Sequence, residues 1–507
     1  LVALYDTTPT SLFYCSVVWA KIRIKKIYIA GVATLLIGSA SANTWLFGSD
    51  VFDESQKNMK AFFSEQRDCV QQAFATSYEN ARKLKDSFDD YVSEQHQKIN
   101  DDINTYVKKI KESSKKVIDT WSYLPNVNDP ASKMENPDMS LSVPSIISRH
   151  GYPCETHTIV SKGYVLNVHR INKSKGDSVS SKTVYLQHGL FASSADWILN
   201  GPEKSLAYVL ADAGYDVWMG NIRGNRYSRE HVSLKTDSKA YWNFSWHDVA
   251  LYDVPAIIDY IIRMKGNETK VTYIGHSMGT TILFAMLTLR PEYNFILTAG
   301  FALAPVVYMS HMQSPIKSLA PIASNIAYTE MLYGSHEFIP KKSALGKFTA
   351  SCDVDRLDFN VCKNIVFSVC GYDDKQLNKH LLPVFLNHLG TGTSWKTIMH
   401  FSQHITTGKF QQFDYGTYHN QKVYSTDTPP EYNLNKITLP ISLFYAENDY
   451  LSSVKDVQKL YKKLPSETTE MHLIPFPEFN HLDYFWAIDA PSLLNKKLLD
   501  SLEKVYN

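Results

Sequence analysis

The sequence VTYIGHSMGTT occupies residues 271–281 and joins an apolar, β-branched run to the pattern G-x-S-x-G. Helix-compatible residues follow the second glycine at once. Strand, tight turn and helix is the local structure in which such a serine becomes a nucleophile. Because this turn leaves no room for a Cβ two positions before or after the serine, glycine is needed at Gly275 and Gly279. The stretch therefore predicts a nucleophilic Ser277, although composition alone gives the pattern in roughly one chain in ten of this length.

The length and composition are those of a globular protein with room for more than one domain. Its 507 residues are 44% hydrophobic and 13% aromatic, and the formal net charge is +1. This near-neutral charge gives no reason to expect a nucleic-acid partner. The chain has no P-loop, no H-E-x-x-H and no dinucleotide-binding G-x-G-x-x-G, so no cofactor and no metal are expected. Its six cysteines are too few for a disulfide scaffold and are not spaced as zinc ligands.

The N-terminal region has the charge and hydropathy pattern of a secretory signal. A basic stretch at 21–26 precedes an apolar stretch at 27–37 and the small residues of 40–42. This order predicts a signal peptide and a secreted or lysosomal protein. An uncleaved signal anchor in a membrane is the alternative, for which the apolar stretch is short. The chain begins at Leu1 and its first methionine is Met59, so we expect a fragment or an over-extended start.

A helical extension and a linker are predicted between the signal and the catalytic domain. Residues 54–124 contain neither Pro nor Gly, and apolar residues recur there every three or four positions. We expect this extension to pack on itself or on the catalytic domain, with self-association or adsorption to lipid as alternatives. The predicted boundaries are 1–42 for the upstream segment with the signal, 43–125 for the coiled-coil-like extension and 126–144 for the linker.

The remaining residues, 145–507, alternate strands with helices. The tripeptide Ser161-Lys162-Gly163 separates two β-rich runs and predicts a hairpin. Alternating strands and helices imply right-handed crossovers, so we predict an α/β fold with a mainly parallel sheet. A long insertion, 306–437, should form a cap over the site. The predicted strands are Thr183–Leu186, Tyr215–Trp218, Val271–Ile274, Leu297–Leu303, Ile441–Tyr445 and Met471–Ile474.

Two later residues supply the groups that a nucleophilic serine needs. A serine hydroxyl reacts poorly until a base removes its proton, and that base needs an orienting acid. In hydrolases of this architecture the order along the chain is serine, acid, histidine. The loop after one late strand offers Asp449, with Glu447 as the competitor, and the loop after the next offers His481. We therefore predict Ser277, Asp449 and His481 as nucleophile, acid and general base.

Two backbone N–H groups are expected to bind the oxyanion of the tetrahedral intermediate. Met278 follows the nucleophile and supplies the first. The glycine turn at 187–190 ends an earlier strand, and the second donor is expected at Leu190. His188 lies beside this turn and precedes the nucleophile in the chain, so we interpret it as a structural residue.

Further motifs surround these residues: GYPCE (151–155), LQHGL (186–190), LADAGYDVW (210–218), GNIRGN (220–225) and NHLD (480–483). In sequence and order they resemble the acid lipase family, which contains gastric lipase and lysosomal acid lipase. The resemblance extends over roughly residues 136–505. The number of motifs in the family's order makes it specific.

The resemblance implies the α/β-hydrolase fold and an esterase of neutral lipids, either triacylglycerols or steryl esters. It also implies activity at acidic pH on an oil–water or membrane surface, without a colipase. The family's three catalytic residues fall on Ser277, Asp449 and His481. Two features depart from the family pattern: Met278 stands where Gln is usual, and the helical extension is additional.

Two other functions remain open at this stage. The apolar residues of the predicted cap can shelter an acyl chain or form the cap's own core. A carboxylesterase for short or soluble esters is therefore an alternative. A non-catalytic lipid-binding protein on a hydrolase scaffold is the other, and the complete set of serine, acid and histidine argues against it.

The resemblance also bears on the cysteines, and the sequence on glycosylation. The family's cap disulfide falls on Cys352 and Cys362, and its unpaired thiol on Cys370. Cys69 and Cys154 are each alone in their segments, and no bridge is assigned to them. Glycosylation acceptors in a secreted chain would be Asn172 and Asn267, which lie in polar stretches, and Asn243, whose aromatic neighbours predict burial.

Overall fold

The computed structural model describes residues 136–172, 182–266, 269, 271–318, 320, 336–338, 359–389 and 391–506, without the side chains of 359–362. The predicted signal, the helical extension and most of the predicted linker lie outside these residues. The strands are β1 (Glu155–Ser161), β2 (Tyr164–Ile171), β3 (Thr183–Gln187), β4 (Asp216–Met219), β5 (Glu230–His231), β6 (Val271–His276), β7 (Leu297–Leu303), β8 (Glu337–Phe338), β9 (Thr393–Ser394), β10 (Ile441–Tyr445) and β11 (Thr469–Leu473).

The helices lie before, between and after these strands. The α-helices are α1 (Val143–Arg149), α2 (Leu206–Asp212), α3 (Trp246–Asp248), α4 (Val254–Lys265), α5 (Met278–Leu289), α6 (Tyr293–Ile296), α7 (Phe359–Cys370), α8 (Leu382–His388), α9 (Trp395–Thr407), α10 (Thr417–Tyr424), α11 (Val454–Tyr461), α12 (Asp483–Trp486) and α13 (Lys496–Tyr506). A π turn, Val249–Asp253, connects α3 to α4.

Most of the described strands form one mixed sheet in the order β1-β2-β4-β3-β6-β7-β10-β11, and β5 pairs with β2. The pairs from β4 through β11 are parallel, whereas β1–β2 and β2–β4 are antiparallel. The prediction of an α/β-hydrolase fold with a mainly parallel sheet is therefore confirmed. The predicted hairpin is also present, and its turn residues Lys162 and Gly163 both have positive φ.

The core lies on both faces of the sheet because neighbouring residues of its central strands point to opposite sides. Tyr185 and Tyr273 pack into the hydrophobic cluster on one face, and Leu186 and Ile274 pack into the other. Both β3 and β6 are buried along their whole length. Such double burial is typical of parallel strands covered by helices, and it keeps their carboxyl ends in fixed positions.

Residues just before the predicted boundary at 145 make contacts with the rest of the described chain. Ser142 caps α1, whose Val143 is fully buried. The segment before α1 is attached to the cap insertion, because His388 Nε2 donates to the Asp138 carbonyl at 2.8 Å and Asn387 Nδ2 to the Met139 carbonyl at 2.8 Å. The end of the predicted linker is thus part of the folded domain.

The described parts of the insertion at 306–437 lie between β7 and β10, which are neighbours in the sheet. They include α7 to α10 and a small antiparallel sheet of β8 and β9. Within the described residues, no helix has both the length and the apolar character needed to cross a membrane.

Candidate active site

Ser277 occupies the sharp turn between β6 and α5. Its φ and ψ are 53° and −119°, a strained conformation for a residue with a side chain. A Cβ added to Gly275 would lie 2.7 Å from the Gly279 carbonyl oxygen, and one added to Gly279 would collide with the Gln187 carbonyl. Both glycines are therefore required by close backbone packing, as the sequence predicts. The turn leaves Ser277 half-buried at the carboxyl end of the sheet.

The three predicted catalytic side chains meet, although they come from distant parts of the chain. His481 Nε2 lies 2.9 Å from Ser277 Oγ, and its Nδ1 lies 2.8 Å and 2.9 Å from the two carboxylate oxygens of Asp449. A carboxylate only accepts hydrogen bonds, so Nδ1 carries the proton and Nε2 of the neutral ring can accept from the serine. The arrangement suits removal of a proton from the serine.

Asp449 is held in place by its own loop. Its side chain is fully buried, and Oδ1 accepts the N–H groups of Leu451 at 2.9 Å and Ser452 at 2.7 Å. The competing acid, Glu447, is exposed at the surface. The structure thus brings Asp449 to the histidine.

The predicted oxyanion turn lies next to the serine. A Cβ at Gly189 would be 3.0 Å from Ser277 Cβ, and Leu190 follows directly. Among the described residues, neither the Leu190 N–H nor the Met278 N–H has an acceptor. Two free donors flanking the serine are what an oxyanion requires. Met278 is buried, and like any residue other than proline it supplies a backbone N–H here.

His188 fixes this turn rather than contacting Ser277. Its Nδ1 donates to the Gly189 carbonyl at 2.8 Å, while Nε2 accepts from Ile222 N and Asn225 Nδ2, each at 3.3 Å. Complete burial lowers the pKa of His188 to about 4, so the ring is neutral. These contacts fit the structural role expected from the sequence.

Comparison with known proteins identifies the family. Residues 143–201 match the partial α/β-hydrolase lipase region, and 182–321 match the α/β hydrolase fold. The chain is 38% identical over 375 residues to gastric triacylglycerol lipase of Rattus norvegicus, with 72% of this chain and 93% of that protein covered. The chain belongs to the acid lipase family of the α/β-hydrolase superfamily.

Other relatives agree with this membership in the acid lipase family. Lipase member K of Homo sapiens is 37% identical over 375 residues, covering 73% of this chain and 92% of that protein. Lipase 1 of Drosophila melanogaster is 38% identical over 370 residues, covering 73% of this chain and 81% of that protein. This member of the acid lipase family is therefore a lipase that hydrolyses ester bonds of lipids.

Sequence reasoning missed the residues that position His481 in this acid lipase. The His481 N–H donates to the Cys370 carbonyl at 3.1 Å, and His276 Nε2 donates to the His481 carbonyl at 2.9 Å. His276 directly precedes the nucleophile, and this position in the sequence was the available signal that it contributes to the site. Cys370 comes from the cap insertion, and no local pattern connects it with the histidine loop.

The cysteines and glycosylation acceptors of the acid lipase are only partly within the described residues. Cys352, Asn267 and the side chain of Cys362 lie outside, so the disulfide stays a prediction. Cys370 is unpaired and buried, and burial raises the pKa of its thiol. Asn243 is exposed, contrary to the expected burial, whereas its neighbours Trp242 and Phe244 are buried. Asn172 is half-buried and its Nδ2 donates to Glu155.

No group of three or more metal-ligating side chains occurs in the described part of the acid lipase.

Proposed function

We propose that this acid lipase hydrolyses the carboxylic esters of neutral lipids, triacylglycerols or steryl esters, through Ser277, His481 and Asp449. The observation that carries the proposal is the continuous line of hydrogen bonds from Ser277 Oγ through the imidazole to the Asp449 carboxylate. It provides nucleophile, base and orienting acid in the geometry required for acyl transfer.

In the first half-reaction Ser277 Oγ attacks the ester carbonyl carbon while His481 Nε2 takes the hydroxyl proton. Asp449 stabilises the imidazolium that forms. The Leu190 and Met278 N–H groups bind the oxyanion, and loss of one such donor typically costs about 2.7–4 kcal/mol of transition-state stabilisation. His481 then protonates the leaving alcohol, and an acyl group remains on Ser277.

In the second half-reaction water replaces the alcohol. His481 removes a proton from the water, which attacks the acyl carbon. The same two N–H groups bind the second oxyanion. Its collapse breaks the bond to Ser277 Oγ, which regains its proton from His481, and a fatty acid leaves.

A neutral-lipid substrate is supported by similarity to proteins named gastric triacylglycerol lipase and by aromatic residues near the oxyanion turn. Phe191 stacks on Phe338 of β8, with ring centroids 5.5 Å apart, and Trp395 of α9 contacts Phe338 edge-on at 4.6 Å. We further propose action on a lipid surface without a colipase, in a protein of the secretory pathway. A carboxylesterase and a lipid-binding protein are the alternatives.

The test compares fatty-acid release at about pH 5 from emulsified long-chain triacylglycerol, from an emulsified steryl ester and from a short soluble ester. Wild-type protein and the Ser277→Ala variant are assayed together. Release from either emulsion that disappears in the variant supports the proposal. Hydrolysis of the soluble ester alone would indicate a carboxylesterase. No turnover of any ester by folded wild-type protein would overturn the assignment of a catalytic site.

A further inference from the structure

Two buried carboxyl groups lie behind His481, and neither contacts the reacting atoms. Asp483 begins α12 and is fully buried; its Oδ2 accepts the Asn480 N–H at 2.6 Å and its Oδ1 accepts Trp486 Nε1 at 2.6 Å. Asp373 follows α7 of the cap insertion and is 1% exposed. Its Oδ1 accepts two backbone N–H groups, from Lys375 at 2.9 Å and Gln376 at 3.1 Å.

The two carboxyl groups act on each other electrostatically. Asp373 Oδ2 is buried and has no N–H or hydroxyl donor among the described residues. Two ionised carboxylates are both acceptors, so a hydrogen bond between them requires a proton on one. Like charges in a shared buried site cannot both ionise without a large free-energy cost.

In the part of the chain that the structure describes, no ion pair replaces this proton. Within the described residues, no Lys, Arg or His forms an ion pair with Asp373 or Asp483. Lys375, the cation closest in sequence, extends to the surface and pairs with Glu478 at 2.6 Å. The other titratable groups that act on the pair or lie beside it are Glu478, Lys375, Cys370, Asp449 and Tyr484.

We propose that Asp373 and Asp483 share one proton and that this carboxyl pair positions the loop carrying His481. The cap segment and the histidine loop are joined at two points. The Cys370 carbonyl accepts the His481 N–H at 3.1 Å, and the carboxyl pair joins the same two segments a few residues later. The two segments lie close together, since a Cβ added to Gly371 would be 3.1 Å from Asn480 Cβ.

The pair gives the loop a dependence on pH whose sign follows from burial. Burial raises the pKa of both carboxyl groups, and that of Asp483 most strongly. When the pKa is higher in the folded state than in the unfolded state, the contribution of the pair to the free energy of unfolding is complete in acid. That contribution is lost as the pH rises through the pKa of the folded state. Loss of the shared proton leaves two buried negative charges, and their repulsion displaces His481. Both the turnover and the stability of the protein should therefore fall as the pH rises above the pKa of the shared proton.

Asp373→Asn is the decisive variant. Its effect is measured as ester hydrolysis, and this measurement rests on the proposed function. The amide keeps Oδ1 for the N–H groups of Lys375 and Gln376, and its Nδ2 donates permanently to Asp483. We expect kcat for a soluble ester at pH 5 to stay within about threefold of wild type. The alkaline decline of kcat should move up by at least about one pH unit or disappear, while KM is unchanged.

Asp374→Asn is the matched control, because Asp374 lies next in the chain and pairs with Lys363 at 2.8 Å instead of with Asp483. It should keep the wild-type pH profile. An Asp373→Asn profile that coincides with wild type would overturn the proposal, as would loss of turnover at pH 5 in a folded variant. If no protein hydrolyses the ester, the proposed function fails, and the melting temperature against pH still tests the pair. Asp373→Asn should remove the alkaline fall in melting temperature, and Asp374→Asn should retain it.

Discussion

His276 Nε2 donates a hydrogen bond to the backbone carbonyl of His481, with 2.9 Å between the two atoms. The residue before the nucleophile is thus tied directly to the residue that acts as its base. Complete burial lowers the pKa of His276 well below its usual value, so the ring is neutral. Its other nitrogen, Nδ1, is buried and has no hydrogen-bond partner among the described residues.

The first prediction concerns this hydrogen bond. His276→Phe keeps a ring against Phe485, now 4.4 Å away between centroids, but removes the donor to His481. A lost hydrogen bond is worth roughly 1–1.5 kcal/mol, so kcat should fall about tenfold. Because His276 does not contact the substrate in this account, KM should not change. Steady-state kinetics on a soluble ester measures both quantities, and an unchanged kcat would show that His276 has no positioning role.

The second prediction concerns the buried ion pair of Arg223 and Asp253. Arg223 Nε donates to Asp253 Oδ2 at 2.7 Å, and the side chains are 4% and 0% exposed. Asp253→Ala should reduce the free energy of unfolding by about 3–5 kcal/mol, because it leaves a buried guanidinium without its partner. The control is Glu292→Ala at the exposed pair with Arg290, where about 0–1 kcal/mol is expected. Equal effects in urea denaturation would refute the prediction.

The third prediction concerns the nucleophile turn. Gly279→Ala places a Cβ against the Gln187 carbonyl, so α5 must move away from the end of β3. We expect little soluble protein and no hydrolysis from what is recovered. Gly416→Ala is the control, because nothing lies within 4 Å of its added Cβ and only its positive φ opposes the change. Gly416→Ala should reduce the free energy of unfolding by about 1–2 kcal/mol and leave kcat unaltered. Soluble yield, melting temperature and kcat distinguish the two variants.

The fourth prediction concerns stability in acid. Burial lowers the pKa of His169 to about 4, so the folded state binds fewer protons than the unfolded state below the ordinary histidine pKa of about 6.5. Stability should therefore fall as pH drops from about 6.5 to 4, with His169 contributing on the order of 2–3 kcal/mol. His169→Gln should lessen this fall, measured as the melting temperature against pH. Replacement of the exposed His419 by Gln should not lessen the fall. Equal slopes of melting temperature against pH in the two variants would contradict the account.

Sequence reasoning predicted the parts of this fold that depend on local pattern. The bounds of β7 and β10 agree with the predicted strands Leu297–Leu303 and Ile441–Tyr445. Ser277 and His481 are 204 positions apart in the sequence. Both follow strands of a parallel sheet, and the carboxyl ends of such strands meet at the same edge, so their loops are expected to lie together. This is why the candidate catalytic residues could be chosen before the structure was known.

Contacts made by the cap could not be predicted in this way. The proposed pairing of Asp373 with Asp483 and the use of the Cys370 carbonyl depend on where the insertion meets the histidine loop. Asn243 shows a second limit, because aromatic neighbours along the chain predict burial only if the side chains point the same way. Here Trp242 and Phe244 enter the core while Asn243 faces outward.

The most direct test of the central claim is to trap the acyl group on the nucleophile. Wild-type protein and Ser277→Ala are treated with a long-chain alkyl phosphonate ester, and their peptides are analysed by mass spectrometry. The account predicts one phosphonyl group per chain, on Ser277, with loss of ester hydrolysis in proportion to labelling. It also predicts that folded Ser277→Ala is unlabelled and at least about a thousandfold slower. Labelling of another residue, or a variant with more than about a tenth of wild-type activity, would contradict it.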